Sequence, residues 1–225
     1  MNFDSAVHFV SVIILPLLFA ITIHEAAHGW AASKFGDKTA LIMGRVTLNP
    51  IKHIDLLGTL IFPILMLILS KFTFTFGWAK PVPVVWQNLT KPRRDMALVA
   101  LIGSFANLLM VFLWAIIAKL SIVLGNKVED VIALEDIAIF FYNAGIFGIL
   151  VNIVCSMLNL IPIPPLDGGR VVFAILPPKM AYRYSKIEPY GVWILLLLSV
   201  FGLFSRIFFP LTLYLAQFIR YLFGL

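Results

Sequence analysis

Charged residues and cysteines are scarce in this 225-residue sequence, and each scarcity excludes a class of protein. Only 12% of the residues are charged, whereas 61% are hydrophobic and the mean hydropathy is +1.01. A soluble domain has about a quarter charged residues, so this chain has too little polar surface to cover a globule in water. The single cysteine, Cys155, excludes an internal disulfide. The composition therefore indicates an integral membrane protein and excludes a disordered chain or a disulfide scaffold.

The basic residues lie mostly between apolar runs. There are 17 Lys and Arg residues against 11 acidic ones, which gives a net charge of +6. In a membrane protein, basic loops set the topology and meet anionic lipid. We therefore expect a lipid bilayer, and no nucleic acid, as the partner of these charges.

Several apolar runs approach or exceed the roughly 20 residues that a membrane span requires. They cover residues 7–32, 56–76, 96–124, 137–162 and 190–223. The last run is too long for one ordinary span, so two short spans or one span with an interfacial helix both stay open. No gap between the runs can house a folded soluble domain. We expect one membrane domain over 1–225, with a core at about 7–178 and C-terminal membrane helices at 190–223.

The first apolar run ends in an H-E-x-x-H pattern formed by His24, Glu25 and His28. Residues i and i+4 share one face of a helix, so both imidazoles can reach one metal ion. Glu25 points about 100° round the helix and can reach a water held by that metal. Ionisable residues inside a membrane helix are costly and by default mark function. We therefore interpret the pattern as a catalytic zinc site, not as polar residues at a helix end.

A catalytic zinc ion needs a third protein ligand and keeps one position open for water. The longer motif with a third histidine is excluded, because Ala31 and Lys34 occupy its glycine and histidine positions. The later glutamates lie in connecting segments. The best remaining candidate is Asp167, within the Pro- and Gly-rich segment 159–170. We expect its prolines and two glycines to break the helix there and free the carboxylate.

The positions of these ligands constrain the topology. His24 and His28 lie near the C-terminal end of one helix and Asp167 follows the end of another, so the two helices must run parallel. Two apolar runs intervene, and one of them must therefore be incomplete. We expect 56–76 to be re-entrant, because it contains Pro63 and precedes an alternating aromatic stretch that reads as extended chain.

The resulting fold class is an all-α polytopic membrane protein. It has about five to six membrane segments and a re-entrant, β-like element between the first and second core helices. With 56–76 re-entrant, the basic segments share one side of the membrane. The positive-inside rule then places the zinc site toward the cytoplasmic side of a multi-pass protein, in what we expect to be a cell membrane.

The motifs resemble those of the site-2 protease family of intramembrane zinc metalloproteases. His24-Glu-Ala-Ala-His28 lies in the first helix, and the segment 159–169 is similar to the family signature N-x-x-P-x-x-P-x-D-G-G. The segment from Gly103 to Asn107 resembles the G-P-x-x-N helix of the family, with Ser104 in place of the proline. The resemblance covers roughly residues 15–175.

The resemblance implies a polytopic peptidase that cuts transmembrane or membrane-proximal segments of other proteins. By position, His24, His28 and Asp167 would hold Zn²⁺, and Glu25 would be the general base. The substrate would be a membrane protein or peptide. The chain has room for neither a PDZ domain nor a CBS pair, so the membrane domain alone would select the substrate.

Further residues have two interpretations each. Asn107 and Asn159 are candidates for binding the substrate backbone or stabilising the oxyanion, or they hydrogen-bond to neighbouring helices. The stretch 72–85 either pairs with an unwound substrate by β-addition or packs at the interface. For His53 and Asp55 we favour a loop-structuring role over a ligand or gating role.

A metal-binding membrane protein without hydrolysis, such as a transporter or an inactive relative, is the alternative function. Transporters commonly show paired hydropathy halves, which this sequence lacks. Glu25 also favours hydrolysis, because holding a metal does not require it. A purely structural membrane protein leaves the His, Glu and Asp residues at membrane depth unexplained.

Overall fold

The computed structural model describes residues 3–61, 64, 65, 68, 77, 79–126, 132–202 and 204–225. Within these residues the chain is helical and forms no strand. The α-helices are α1 (Phe3–Lys34), α2 (Thr39–Ile42), α3 (Pro92–Gly125), α4 (Ile132–Asn159), α5 (Asp167–Ile175), α6 (Pro178–Ser185), α7 (Gly191–Val200) and α8 (Phe209–Phe223). Shorter 3₁₀ turns span Pro50–His53, Trp86–Asn88 and Glu188–Tyr190, and π-helical turns span Leu56–Ile61 and Phe204–Phe208.

Stretches of α1, α3 and α4 are long and apolar enough to cross a membrane. These stretches are Val10–Lys34, Pro92–Gly125 and Leu134–Asn159. Large apolar side chains such as Phe19, Phe105 and Phe141 are exposed on the outer faces, as expected of helices that face lipid. The expected all-helical membrane protein is therefore confirmed. The count of five to six segments stays a prediction, as does the re-entrant element, most of which lies outside the described residues.

Helices α1 and α3 run antiparallel. His24 contacts Asn107 on α3, and His28, one turn further along α1, contacts Val99, which lies two turns earlier on α3. The C-terminal end of α1 and the N-terminal end of α3 therefore lie on the same side of the bundle.

Helices α3 and α4 also run antiparallel, and their contact is close. A side chain on Gly145 would approach Ala118, and one on Gly148 would overlap the ring of Trp114. Because both α1 and α4 oppose α3, they run parallel to each other. The parallel arrangement expected from the ligand positions is thus confirmed.

The main apolar core lies where α3, α4 and α8 meet. Trp114 is 3% exposed at its centre. Around it pack the buried residues Met110, Val111, Ala115, Ala144, Ile149, Ile153, Ala216 and Ile219. The candidate ligands lie outside this core, toward the C-terminal end of α1 and in the first turn of α5.

The C-terminal tract 190–223 divides into α7, which is shorter than a membrane span needs, and a longer helical stretch in which the turn Phe204–Phe208 continues directly into α8. The chain turns between them at Gly202, whose φ of 70° is a left-handed conformation that glycine adopts without steric cost. Arg206 and Pro210, a charge and a proline within this apolar tract, lie instead in the π-helical turn and in the first turn of α8.

Three hydrogen bonds fix the segment that carries Asp167. The Arg93 guanidinium, at the start of α3, donates to the carbonyl oxygens of Phe173 and Leu176 near the end of α5. The Tyr184 hydroxyl on α6 donates to the Pro162 carbonyl oxygen at 2.8 Å. Arg93 therefore holds the end of α5, and Tyr184 holds the loop before it.

Substitution of Gly148 by Ala tests the close contact between α3 and α4. The added methyl group would overlap the buried Trp114 ring, and overpacking of this kind costs about 1–3 kcal/mol. We expect a lower thermal unfolding midpoint for the detergent-purified variant. Gly125→Ala is the matched control, because its Cβ would lie 3.5 Å from the nearest side chain. Equal midpoints for both variants would contradict the packing described here.

Candidate metal centre

Three candidate ligands converge at the end of the bundle, as the sequence predicted. The Nε2 atoms of His24 and His28 lie 2.9 Å apart, and they lie 3.2 and 3.1 Å from Oδ2 of Asp167. All three residues are buried. In the described part of the chain, no other group of three His, Cys, Asp or Glu side chains has this geometry.

The other nitrogen of each imidazole has its own partner. Nδ1 of His28 lies 2.8 Å from the Val99 carbonyl oxygen, and Nδ1 of His24 lies 3.2 Å from Oδ1 of Asn107. Since both partners accept hydrogen bonds, each Nδ1 carries the proton and each Nε2 presents a lone pair. Metal-binding histidines are oriented by contacts of this kind.

The residues fit a zinc ion. Two imidazole lone pairs and a carboxylate oxygen face one another, an arrangement that is repulsive without a cation between them. Oδ2 of Asp167 is also buried without a hydrogen-bond donor. Tetrahedral zinc, with bonds of about 2.0–2.2 Å, holds its ligand atoms about 3.3–3.6 Å apart. The three observed separations need only a small expansion to accommodate it.

Asp167 reaches the site from the first turn of α5, which corrects one expectation. The chain does break after Asn159, but Gly168 and Gly169 begin the next helix instead of forming the break. A side chain on Gly168 would overlap the carbonyl oxygens of Leu160 and Ile161. The two glycines therefore let the first turn of α5 lie directly against the preceding loop.

Gly103 provides the corresponding space on α3. A Cβ atom there would overlap Cε1 and Nε2 of His28 and would lie 2.8 Å from Cε1 of His24. Glycine is therefore required for both imidazoles to lie between α1 and α3. One turn later, Asn107 is fully buried and bonded to His24, while its Nδ2 has no partner in the described structure.

Glu25 lies beside the two histidines and is half-buried. Its Oε2 accepts a hydrogen bond of 2.7 Å from the backbone N–H of Val82. Val82 belongs to the irregular segment 79–85, here called the strap. The strap lies along the C-terminal half of α1, where a Cβ on Gly29 would be 3.0 Å from the Val82 side chain.

Asp37 anchors the C-terminal end of the strap. Its fully buried carboxylate accepts hydrogen bonds from the N–H of Val85 at 2.6 Å, from the side chain of Asn88 and from Thr39. Burial alone would raise the pKa of Asp37, but these hydrogen bonds outweigh it and hold the pKa below its ordinary value. Asp37 is therefore ionised near neutral pH and keeps its acceptors available.

The remaining predicted residues lie outside the ligand group. Asn159 donates to the Cys155 carbonyl oxygen one turn earlier on α4. His53 is buried, and its Nε2 bonds to the Thr47 carbonyl oxygen. Asp55 accepts from the Gly58 N–H at 2.6 Å. For His53 and Asp55 these contacts are of the loop-structuring kind that we favoured.

Sequence reasoning missed the groups that surround Glu25 and the imidazoles. The Val82 N–H and the Val99 carbonyl belong to the backbone, so no residue type signals them. Arg45 donates hydrogen bonds to strap carbonyls, but in the sequence nothing distinguishes it from the other basic loop residues. For Val82 alone a signal exists, because its N–H lies between two prolines that have none.

The site combines two imidazoles one helical turn apart, a carboxylate as third ligand and a neighbouring glutamate. Zinc-dependent peptide hydrolases have this set of groups. Comparison with known proteins leads to the same class of enzyme. The chain is 36% identical over 202 residues to "Putative zinc metalloprotease YwhC" of Bacillus subtilis, covering 88% of this chain and 84% of that protein. It is 28% identical over 213 residues to "Putative zinc metalloprotease Rip2" of Mycolicibacterium smegmatis, covering 93% and 76%.

This chain belongs to the site-2 protease family of zinc metalloproteases. It is a membrane protein and a zinc-dependent peptide hydrolase, and its cofactor is Zn²⁺. No family model and no solved structure matches the chain.

Substitution of Gly103 by Ala tests the geometry of the metal centre. The methyl group would displace both imidazoles, although alanine favours the helix itself by about 1 kcal/mol. We expect a folded protein that purifies with little zinc, as measured by elemental analysis. Gly125→Ala on the same helix should keep wild-type zinc. A Gly103→Ala variant with full zinc content would contradict the close approach of α3 to the imidazoles.

Proposed function

We propose that this protein is an intramembrane zinc metalloendopeptidase that hydrolyses peptide bonds in or near transmembrane segments of membrane-protein substrates. The observation that carries the proposal is the buried convergence of His24, His28 and Asp167. This convergence lies between helices that are long enough to cross a membrane. Residues 1–225 would form one membrane domain that both selects and cuts the substrate.

His24, His28 and Asp167 would hold the zinc ion, and Glu25 would act as the general base. When bound, zinc supplies a Lewis acid that polarises the scissile carbonyl and acidifies the attacking water. Glu25 takes a proton from that water at its carboxylate and later passes the proton to the leaving amine. The Val99 carbonyl and Asn107 keep each imidazole in the tautomer that leaves its Nε2 unprotonated.

Asn107 and Asn159 would bind the substrate in addition to their present contacts. The unpartnered Nδ2 of Asn107 supports this role, because a buried amide donor normally has a partner. Pairing of the stretch 72–85 with a substrate strand has less support in its second half, residues 79–85 of the strap. There the N–H groups of Lys80, Val82 and Val85 are already bonded within the chain, and Pro81 and Pro83 have none.

The packing supports a re-entrant course for 56–76. The Thr90 N–H donates to the Phe35 carbonyl oxygen at 2.8 Å, so the chain leaves α1 and returns to α3 on the same side of the bundle. This side also carries most of the basic residues: Lys34, Lys38, Lys52, Lys80, Lys91, Arg93, Arg94, Arg170, Lys179, Arg183 and Lys186. The positive-inside rule then supports a multi-pass protein in the cell membrane with its zinc site toward the cytoplasm.

Cysteine labelling tests this topology. In a Cys155→Ser background, Lys38→Cys and Asp130→Cys would be labelled separately with a membrane-impermeant maleimide, on intact cells and on inverted vesicles. We expect position 130 to label from outside and position 38 from the cytoplasm. Labelling of both positions from one side would mean that 56–76 crosses completely and that the re-entrant topology is wrong.

Glu25→Gln tests the reaction itself. The amide cannot accept a proton but has nearly the same shape, so we expect zinc content to stay at wild type while cleavage falls by about 10²–10⁴-fold. Because the substrate is unidentified, the readout is the set of new protein N-termini in membranes of cells that produce either form. N-termini within apolar segments that depend on Glu25 would support intramembrane cleavage.

Further outcomes separate the alternatives. New N-termini confined to soluble segments would refute the intramembrane substrate class. Full cleavage by Glu25→Gln would remove the general-base assignment. Full zinc binding without any Glu25-dependent cleavage would favour the alternative function, a non-hydrolytic transporter or an inactive relative. Zinc loss in both His24→Ala and Asp167→Ala would support the three-ligand set.

A further inference from the structure

We propose that Arg45 is a positioning residue for Glu25, and that it acts through the backbone of the strap. Arg45 would hold the peptide groups before Val82 in place, so that the Val82 N–H fixes the orientation of the Glu25 carboxylate. The inference rests on the proposed function, in which Glu25 is the general base.

The geometry links the two charged side chains through one short stretch of backbone. Nη2 of Arg45 donates to the Lys80 carbonyl oxygen at 2.8 Å and, at a longer 3.4 Å, to that of Pro81. The next N–H along the chain, that of Val82, donates to Glu25 Oε2 at 2.7 Å. The Pro81–Val82 peptide group therefore has the guanidinium at its oxygen and the carboxylate at its nitrogen.

The sequence of the strap makes this N–H distinctive. Pro81 and Pro83 flank Val82 and have no N–H, so Val82 supplies the only backbone donor between Lys80 and Val84. Prolines also restrict the residues before them to extended backbone, which limits how far the strap can rearrange. Glu25 therefore bonds to a single backbone donor, the Val82 N–H, whose position the flanking prolines restrict.

The burial of Arg45 has no other evident explanation. Arg45 is only 9% exposed. Within the described residues, no carboxylate lies in ion-pair range of its guanidinium. Burial of an unpaired charge is costly unless hydrogen bonds compensate it. The compensation observed here comes from the two strap carbonyls, beyond which lies the negative charge of Glu25.

Both ends of the strap are anchored independently of Arg45. The Lys80 N–H donates to the His53 carbonyl oxygen at 2.9 Å, and the Val85 N–H donates to Asp37. Loss of the guanidinium should therefore loosen the middle of the strap without releasing it. This makes Arg45→Met a variant that is expected to fold and to keep the metal ligands in place.

The first test does not depend on activity. Hydrogen–deuterium exchange of the zinc-loaded protein, resolved to the Val82 amide by fragmentation, should be slow in the wild type. We expect about tenfold faster exchange in Arg45→Met and in Glu25→Ala. The matched control is Arg183→Met, which removes the same charge from an exposed position on α6. Unchanged Val82 exchange in Arg45→Met would overturn the proposal.

The second test measures cleavage, with fluorescein-labelled casein as the probe. We expect Arg45→Met to lower kcat by about 10–100-fold, with KM within about twofold and zinc content unchanged. Arg45→Lys should recover part of kcat, because an ammonium can still donate to a strap carbonyl. Zinc loss in Arg45→Met, or wild-type kcat, would refute a positioning role toward Glu25.

A proline variant removes the N–H directly. Val82→Pro should lower kcat to the level of Arg45→Met, whereas Val84→Pro should change kcat little, since the Val84 N–H makes no hydrogen bond to the described part of the chain. Equal losses from both would mean that the strap acts through its packing alone. If the wild type cleaves no casein, the proposed function fails on this probe, while the exchange experiment still decides whether Arg45 holds Val82 against Glu25.

Discussion

The mutual repulsion of three buried electron-pair donors is the constraint on which the rest of the site depends. His24, His28 and Asp167 are brought within hydrogen-bond distance of one another, yet the imidazole protons are committed elsewhere and the carboxylate oxygen has no donor. A zinc ion between the three donors makes this arrangement favourable. Gly103 and the Gly168–Gly169 pair give the ligands the space to meet, and Asn107 and the Val99 carbonyl fix the rings. Folding and metal binding are therefore expected to be coupled.

Irregular backbone close to a membrane needs hydrogen-bond partners for its N–H and C=O groups. In this protein, charged side chains are partners of the strap backbone. The strap has no helix or strand to satisfy it. Asp37 and Glu25 accept its N–H groups, and Arg45 donates to its carbonyls. Each contact replaces a backbone hydrogen bond that regular secondary structure would provide. The same contacts place a half-buried carboxylate next to the metal ligands, so satisfying the backbone and arranging the site are achieved by one set of residues.

The three candidate metal ligands were predictable because their signals are local. The spacing of His24 and His28 places them on one helix face, and the elimination of other acidic residues left Asp167. The parallel course of α1 and α4 followed from where these ligands lie in their helices. The environment of Glu25 was not predictable, because it depends on backbone groups and on a basic residue that resembles other loop charges. Asn107 was noticed, but only a distance could show that it bonds to His24. The role of the glycines was misassigned because close approach and helix breaking favour the same residue.

The hydrogen bond from Val82 to Glu25 has a practical consequence for mapping this site. An alanine scan of the strap would leave it intact, because Val82→Ala keeps the amide and changes only the side chain. Side-chain scanning would then report only what the buried Val82 side chain contributes to packing. The group that contacts Glu25 at this position is part of the peptide bond, and only a change in the main chain itself would remove it.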